Sequence, residues 1–527
     1  MFLALFTGML SMLSTTNAAA NAGAAGPAAA TASASADDAN AQPGVALTVY
    51  SSADPAGFDV QQFVAQQRMG NNPNFAWQVP GFGVVKELRQ VKIGAGSQAL
   101  RFADVAAFID PTTVSFVDLT DPKTSVLEQN FEFDLVAPEK LLEKYLDKEV
   151  VLSRYNGDKE ERIAGTLLSA SGGQLVVKTK AEGIRMVPSE GTQVVLGELP
   201  GGLITKPTLV WKLNGATAGD HMIRTTYQTS GITWKADYNL VLADDEKSAD
   251  LAAWVTLLNM SGAGYKDAKL KLVAGDVQRI ERRPMAPKAF SRSAGLAMAA
   301  DDSGFEEKSF FEYHLYTLPR PTDVLTNSSQ QITLFPTATG VPVEKVLIYD
   351  GASNFAGMGY GGEPYYDQGM GATTSGKLDV FIRFVNDEAS RLGKPLPRGK
   401  VRLYKQDAAD GTLEFLGEDL IDHTPRNEKV RVKVGQSFDV VGERKQTDFT
   451  VDIARRTMTE SFRIEIRNRK DVAQKVLVRE YLFRWAQWEI TKKSQEFEKL
   501  DARTVQFEVA VPADGTKVVE YTVRYTW

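Results

Sequence analysis

Phe462-Arg463-Ile464-Glu465-Ile466-Arg467, followed by Asn468, a short polar turn and a second alternating run over 475–481, decides the fold of this chain. Strict in/out alternation gives a strand one buried face and one wet face. The same arrangement occurs twice upstream: 251–258, Asn259, then 269–273, and 378–385, Asn386, then 400–404. Each reads as an antiparallel hairpin, and repeated hairpins of this kind build β-sandwiches.

Outward from these three pairs, alternation fills most of residues 205–527. The expected class is all-β, with an antiparallel, Ig-like β-sandwich region whose two parts cover 205–349 and 377–527. The last strand, 518–525, alternates almost to the terminus and is expected to be paired into a sheet. Two irregular segments interrupt the pattern. Residues 284–308 run from Pro and basic residues to Asp301, Asp302, Glu306 and Glu307. Residues 350–376 are Gly-rich and carry Phe355, Tyr360, Tyr365 and Tyr366. Loops of this length are uncommon in compact domains and are either functional or disordered.

Upstream, residues 45–137 form an N-terminal β region, with strands expected at 46–50, 84–90, 98–102 and 113–119 and an ambiguous stretch at 58–68 whose pattern also fits a short helix. Residues 138–204 open with a helix that places Leu141, Leu142 and Tyr145 on one face. Short strands follow at 149–153, 164–169, 174–178 and 183–187, with Gly172-Gly173 as a tight turn. That order matches a small SH3- or Sm-like barrel. The Sm topology suggests RNA, but the acidic stretch 158–161 opposes it and favours a structural or protein-binding barrel.

The chain is 527 residues long, enough for roughly three to four domains, with 43% hydrophobic residues and a net charge of -6. It lacks the broad positive field that nucleic-acid binding needs; the basic run at 279–283 is short and contains its own acid. There is no cysteine, which excludes thiolate zinc sites, iron–sulfur clusters and cysteine nucleophiles. Residues 2–13 are apolar and 16–18 are small, so 1–18 is expected to be a signal peptide, although no Lys or Arg follows Met1. An Ala/Ser/Gly-rich linker, 19–44, follows. No later segment reaches the ~20 apolar residues of a transmembrane helix, so no span is expected in the mature chain. A cysteine-free exported protein fits a bacterial envelope, periplasmic or extracellular.

Chemistry-bearing patterns are sparse. The three histidines, His221, His314 and His423, are far apart in sequence. His423 follows Glu418, Asp419 and Asp422, a set that would suit a divalent ion and equally an ordinary polar turn. The acids at 301–307 would suit Ca²⁺ but lack EF-hand spacing. No nucleophile elbow, Walker loop or dinucleotide fingerprint is present, so no catalytic, metal or cofactor site is assigned. The aromatic Gly-rich loop is the one candidate binding element: Phe355, Tyr360, Tyr365 and Tyr366 on an adaptable backbone offer contact area as paratopes do. Trp485 and Trp488 read as core.

The segment 234–275 carries Trp-Lys-Ala-Asp-Tyr, an Ala-Ala-Trp-Val strand, Asn259-Met260-Ser261-Gly262 and Leu270-Lys271-Leu272-Val273-Ala274-Gly275. With Tyr313-His314-Leu315, Lys394-Pro395-Leu396-Pro397-Arg398-Gly399, Gly417-Glu418-Asp419 and the run 434–444, it resembles the β-rich domain of unknown function of bacterial envelope proteins, including those labelled mucoidy inhibitor A. The resemblance covers about 205–527 and implies an exported, non-enzymatic β-sandwich. No heptad stretch precedes it, where such proteins often carry a coiled coil. The resulting expectation is a non-catalytic protein-interaction or structural module whose partner is another envelope protein or a polysaccharide. The alternatives are a carbohydrate-binding module and a hydrolase with dispersed carboxylates.

Overall fold

The computed structural model describes residues 42–51, 79–156, 159–198, 203–275, 305–359, 361–372, 375–407 and 409–527, with positions 65 and 277. The expected signal peptide, most of the linker, the acids Asp301 and Asp302 and the ring of Tyr360 lie outside the described residues. The regular secondary structure of the described residues is almost wholly strand, arranged in five sheets of eight, five, three, five and nine strands. The all-β expectation holds.

The three alternating pairs are not hairpins. Ser248–Asn259 pairs with Ile232–Leu242 and Ser328–Pro342, whereas Tyr265–Ala274 pairs with Gly44–Tyr50, Tyr313–Thr317 and Thr322–Val324. Lys377–Val385 pairs with Glu344–Tyr349 and Lys429–Asp452, whereas Gly399–Gln406 pairs with Ile232–Leu242 and Leu413–Ile421. Thr457–Asn468 pairs with Lys429–Asp452 and Thr516–Thr526, whereas Gln474–Tyr481 pairs with Glu344–Tyr349 and Thr504–Val511. Each Asn therefore marks an arch, at which the chain leaves one strand pairing for another. Alternation records only that a strand has one wet face, so it fits arch and hairpin equally.

A four-strand unit emerges three times. In each, the chain crosses outward at the Asn, runs through a second and a third strand that pair with each other, and crosses back into a fourth strand that pairs with the first. The third and fourth strands are Thr322–Val324 and Ser328–Pro342, Leu413–Ile421 and Lys429–Asp452, and Thr504–Val511 and Thr516–Thr526. The Asn side chain joins the two crossings. Asn259 Nδ2 donates to Ala263 O (2.8 Å) in its own arch and to Leu325 O (3.1 Å) in the return. Asn386 Nδ2 donates to Lys394 O (2.7 Å) and Pro425 O (3.0 Å). Asn468 Nδ2 donates to Val472 O (2.9 Å) and Pro512 O (2.8 Å). Each Oδ1 accepts a backbone N–H of the arch, from Ser261, Gly393 and Lys470 respectively. All three side chains are at most 1% exposed.

The first core is shared across the chain. Gly44–Tyr50 lies between Phe82–Ile93 and, in parallel, Tyr265–Ala274. Thr208–Gly215 lies between Gly96–Ala103 and Ser125–Glu132. Residues 45–137 and 205–349 thus interleave in common sheets around one cluster that includes Leu47, Trp211, Trp234 and Leu270. Pairing of Ala46 with Lys269 spans too much chain for a local pattern to reveal. The nine-stranded sheet turns on itself, so that Met458, Phe462 and Tyr521 near one end pack with Val478 and Phe507 near the other.

Residues 138–195 form a satellite. The helix Pro138–Lys144 leads into five antiparallel strands around Tyr145, Leu152, Leu167, Leu175 and Val177. Gly172 and Gly173 both take positive φ (62° and 74°) in a two-residue hairpin, as expected. The edge strands Gly183–Pro188 and Thr192–Val195 do not pair with each other, so the expected small barrel is an open sheet rather than a closed one. The segment expected as a loop to residue 308 is already strand at Glu306–Phe310. No described helix is long and apolar enough to cross a membrane.

Substituting Asn468 by Ala strands buried carbonyls in two crossings at once, and each unsatisfied buried group costs about 1–3 kcal/mol. Asn468→Ala is therefore expected to lower the unfolding midpoint in urea clearly, while Asn130→Ala on an exposed strand leaves it unchanged. Equal midpoints for the two variants would remove the corner from the account of stability.

Candidate functional site

The aromatic Gly-rich segment is docked on its own domain. Phe355 is buried, its ring stacked on Phe483 at 3.9 Å and 9°. Tyr365 is half-buried, takes Arg484 O through its backbone N–H, and donates its hydroxyl to Gly359 O (2.7 Å). Tyr366 is half-buried against Trp527, with ring centroids 5.3 Å apart. Phe355 and Tyr365 thus pack in one small cluster with Phe483 while Tyr366 packs on the second core, and the three form no common platform.

Beneath the segment lies a buried charge network. Arg444 Nε contacts both carboxylate oxygens of Glu480 at 3.0 Å, and its guanidinium covers the Phe462 ring at 3.8 Å. Arg484 Nη2 pairs with Glu460 Oε1 at 2.7 Å. Gln446 donates to the same Glu460 oxygen, and Tyr521 donates its hydroxyl to Glu480. All four charged side chains are essentially inaccessible. Burial pulls the proton affinity of Arg444 down, but Glu480, Tyr521 and Glu460 outweigh it and hold the guanidinium charged.

The segment supplies further acceptors. Arg444 Nη1 donates to Gly371 O (2.6 Å), and Arg484 Nη1 donates to Tyr365 O (2.7 Å) and Asp367 O (2.8 Å). A Cβ at Gly371 would lie 2.4 Å from Gln446 Nε2 and 2.8 Å from Glu460 Oε1. Glycine there reflects close approach to the protein's own interior. Residues 350–376 act as a strap that seals two arginines.

The network has a sequence signal in the misfits of alternation. Glu460 occupies an inward position in the series Met458, Glu460, Phe462, Ile464, Ile466, and Glu480 does so after Val476 and Val478. A charge in an inward series predicts a buried partner.

The other candidates stay dispersed. His221 is buried, with Nδ1 2.7 Å from Asp118 Oδ2, and Asp118 also accepts the N–H of Thr120 and Asp121. His314 pairs with Glu307 on the neighbouring strand at 2.7 Å. His423 Nδ1 accepts the Arg398 N–H (3.1 Å), Glu418 pairs with Lys400 and Arg402, and Asp419 accepts the Lys433 N–H. The His423 set therefore does not converge. Among the described residues no three His, Asp or Glu side chains gather as metal ligands. Trp485 and Trp488 are half-buried against the second core, and Trp488 Nε1 donates to Ala502 O.

A family model, the domain of unknown function DUF4139, matches residues 223–527, and the chain belongs to that family. The match contains all three Asn-cornered units and the sealed network. A comparison with curated proteins finds no match.

Breaking one partner of a buried ion pair costs about 3–5 kcal/mol, so Arg444→Met is expected to lower the thermal midpoint strongly. Gly371→Ala tests the strap separately: cleavage by a nonspecific protease within 350–376 is expected to quicken, with the rest of the chain unchanged. Wild-type cleavage kinetics in Gly371→Ala would show that the strap does not depend on this contact.

Proposed function

We propose that this DUF4139 member is an exported, non-catalytic protein of a bacterial envelope that binds another envelope protein by strand addition at a sheet edge. The observation that carries the reading is the strand Leu413–Ile421. It closes one side of a five-stranded sheet; among the described residues its one ladder partner is Gly399–Gln406, and Lys429–Asp452 lies against it at Gly417 and Asp419, so that the exposed part is the 413–416 end. Leu413 and Phe415 are 57% and 56% exposed, and Leu416 and Leu420 are exposed beside them. Natural edges are usually blunted by Lys, Pro or a covering element. Residues 407–422 contain six acids, no Lys or Arg and no Pro. An edge of this kind suits an extended segment bearing apolar and basic side chains, held by main-chain hydrogen bonds and oriented by charge. Export draws its support from the apolar run at 2–13 and the small residues at 16–18. The dispersal of the histidines among ordinary partners favours binding over chemistry.

Affinity capture from a native envelope extract tests the reading, with wild type beside Leu413→Ser/Phe415→Ser and Tyr365→Ala/Tyr366→Ala. A protein retained by wild type and by the tyrosine variant, lost by the edge variant, and released as salt is raised is the expected result. Equal capture by the edge variant overturns the edge as the interface. Polysaccharide captured by wild type and lost only in the tyrosine variant would replace the reading with carbohydrate binding.

A further inference from the structure

The three Asn corners are equivalent in role but not in size. Five residues separate Asn259 from Tyr265 and Asn468 from Gln474, whereas twelve separate Asn386 from Gly399. Five residues suffice to cross at the other two corners, so the middle corner is seven residues longer than either. The longer corner is rigidly built. Asp387 accepts the Ser390 N–H, Arg391 and Gly393 take positive φ (59° and 84°), and Tyr316 and Tyr238 donate their hydroxyls to Pro395 O and Pro397 O.

Opposite this corner, Ser328–Pro342 undergoes three successive register shifts against Ser248–Asn259, between Val341 and Thr333. Bulges re-aim side chains and cluster beside functional sites. The enlarged corner and the bulged stretch line one cavity of about 360 Å³, within the size range of small-molecule sites. Phe335, Leu392 and Leu396 give it an apolar floor, Thr337 and Thr339 add hydroxyls, and Arg391 and Lys394 are its charged residues; no carboxylate lines it. Arg391, an exposed residue of the lining, is anchored by Nη1 to Thr339 O (2.7 Å) on the opposite wall. Lys394 is half-buried and, among the described residues, its ammonium has no ion-pair partner.

We infer that this cavity binds a small organic anion, a carboxylate carrying a short alkyl or aryl group. Lys394 and Arg391 hold the carboxylate, and Phe335, Leu392 and Leu396 cover the apolar part. Charge-assisted hydrogen bonds of this type are the strong ones. The site is separate from the edge strand Leu413–Ile421 and does not rest on the interaction reading.

Calorimetric titration of the full chain with sodium octanoate tests it, with octanol and acetate as ligands lacking the charge or the tail. One saturable octanoate site is expected, bound more tightly than either control. Lys394→Gln is expected to weaken it about tenfold, the loss of one charge-assisted contact. Because Arg391 also holds Thr339, Lys394→Gln is the decisive variant and Arg391→Gln the supporting one, each with its melting midpoint measured alongside. Phe415→Ser, at the edge strand, is expected to bind octanoate as wild type does. Octanol bound as tightly as octanoate, octanoate affinity unchanged in Lys394→Gln, or no saturable binding by wild type would each overturn the assignment.

Discussion

One buried amide, used three times, holds the crossings of this fold together. A chain that leaves one strand pairing for another exposes backbone groups that no ladder satisfies, and burying them unpaired is costly. Asn has two donors and an acceptor on a short stem. At Asn259, Asn386 and Asn468 the acceptor closes the outgoing arch and the donors reach carbonyls in both that arch and the return crossing. Asp would keep the acceptor and lose the donors, and Gln would not fit the same span without an extra rotor. The residue is dictated by the bonding pattern of the crossing.

The charged network follows from the same constraint at a larger scale. The nine-stranded sheet turns on itself, which brings two inward faces together and traps Glu460 and Glu480 between them. Two carboxylates there need two cations, and Arg444 and Arg484 supply them. Two guanidiniums carry more donors than two carboxylates fill, and carbonyls of Tyr365, Asp367 and Gly371 take part of the excess, while Arg484 Nε stays without a hydrogen-bond partner. The strap is thus part of the electrostatic solution of the interior. Within it, Gly371 is fixed by its close approach to Gln446, and Phe355 by its stack on Phe483.

Alternation made the β class readable, as in 462–467, and two adjacent glycines made the hairpin at 172–173 readable. Partner choice was not readable, because a strand's wet and dry faces say nothing of which strand lies beside it. That is why the Asn-marked pairs read as hairpins and emerge as arches, and why 45–137 read as a separate region although its strands lie within sheets of 205–349. The aromatic segment was readable in composition and misleading in direction, since Tyr and Phe on a Gly backbone look alike whether they face a ligand or the protein's own core. The buried charges left a clearer trace: Glu460 and Glu480 interrupt inward apolar series and announce a partner, though not its identity. Arg391 and Lys394 left none, because their significance lies in the length of one corner relative to two others.

The family segment 223–527 does not complete its own first sheet. Leu270 and Leu272, inside it, lie beside Leu47 and Val49, outside it, through the parallel pairing of Tyr265–Ala274 with Gly44–Tyr50. The Trp234 indole donates to Val49 O at 3.1 Å, and Gly81 sits so close to Tyr50 O and Thr233 that a side chain there would collide with both. Without the upstream strands, one flank of Tyr265–Ala274 and a tryptophan N–H would lack their partners. The middle corner and the bulged strand stand on the sheet that packs against that same core. The upstream residues therefore belong to the structure that shapes the cavity, and the unit on which any function of this family acts in this chain is larger than the segment that defines it.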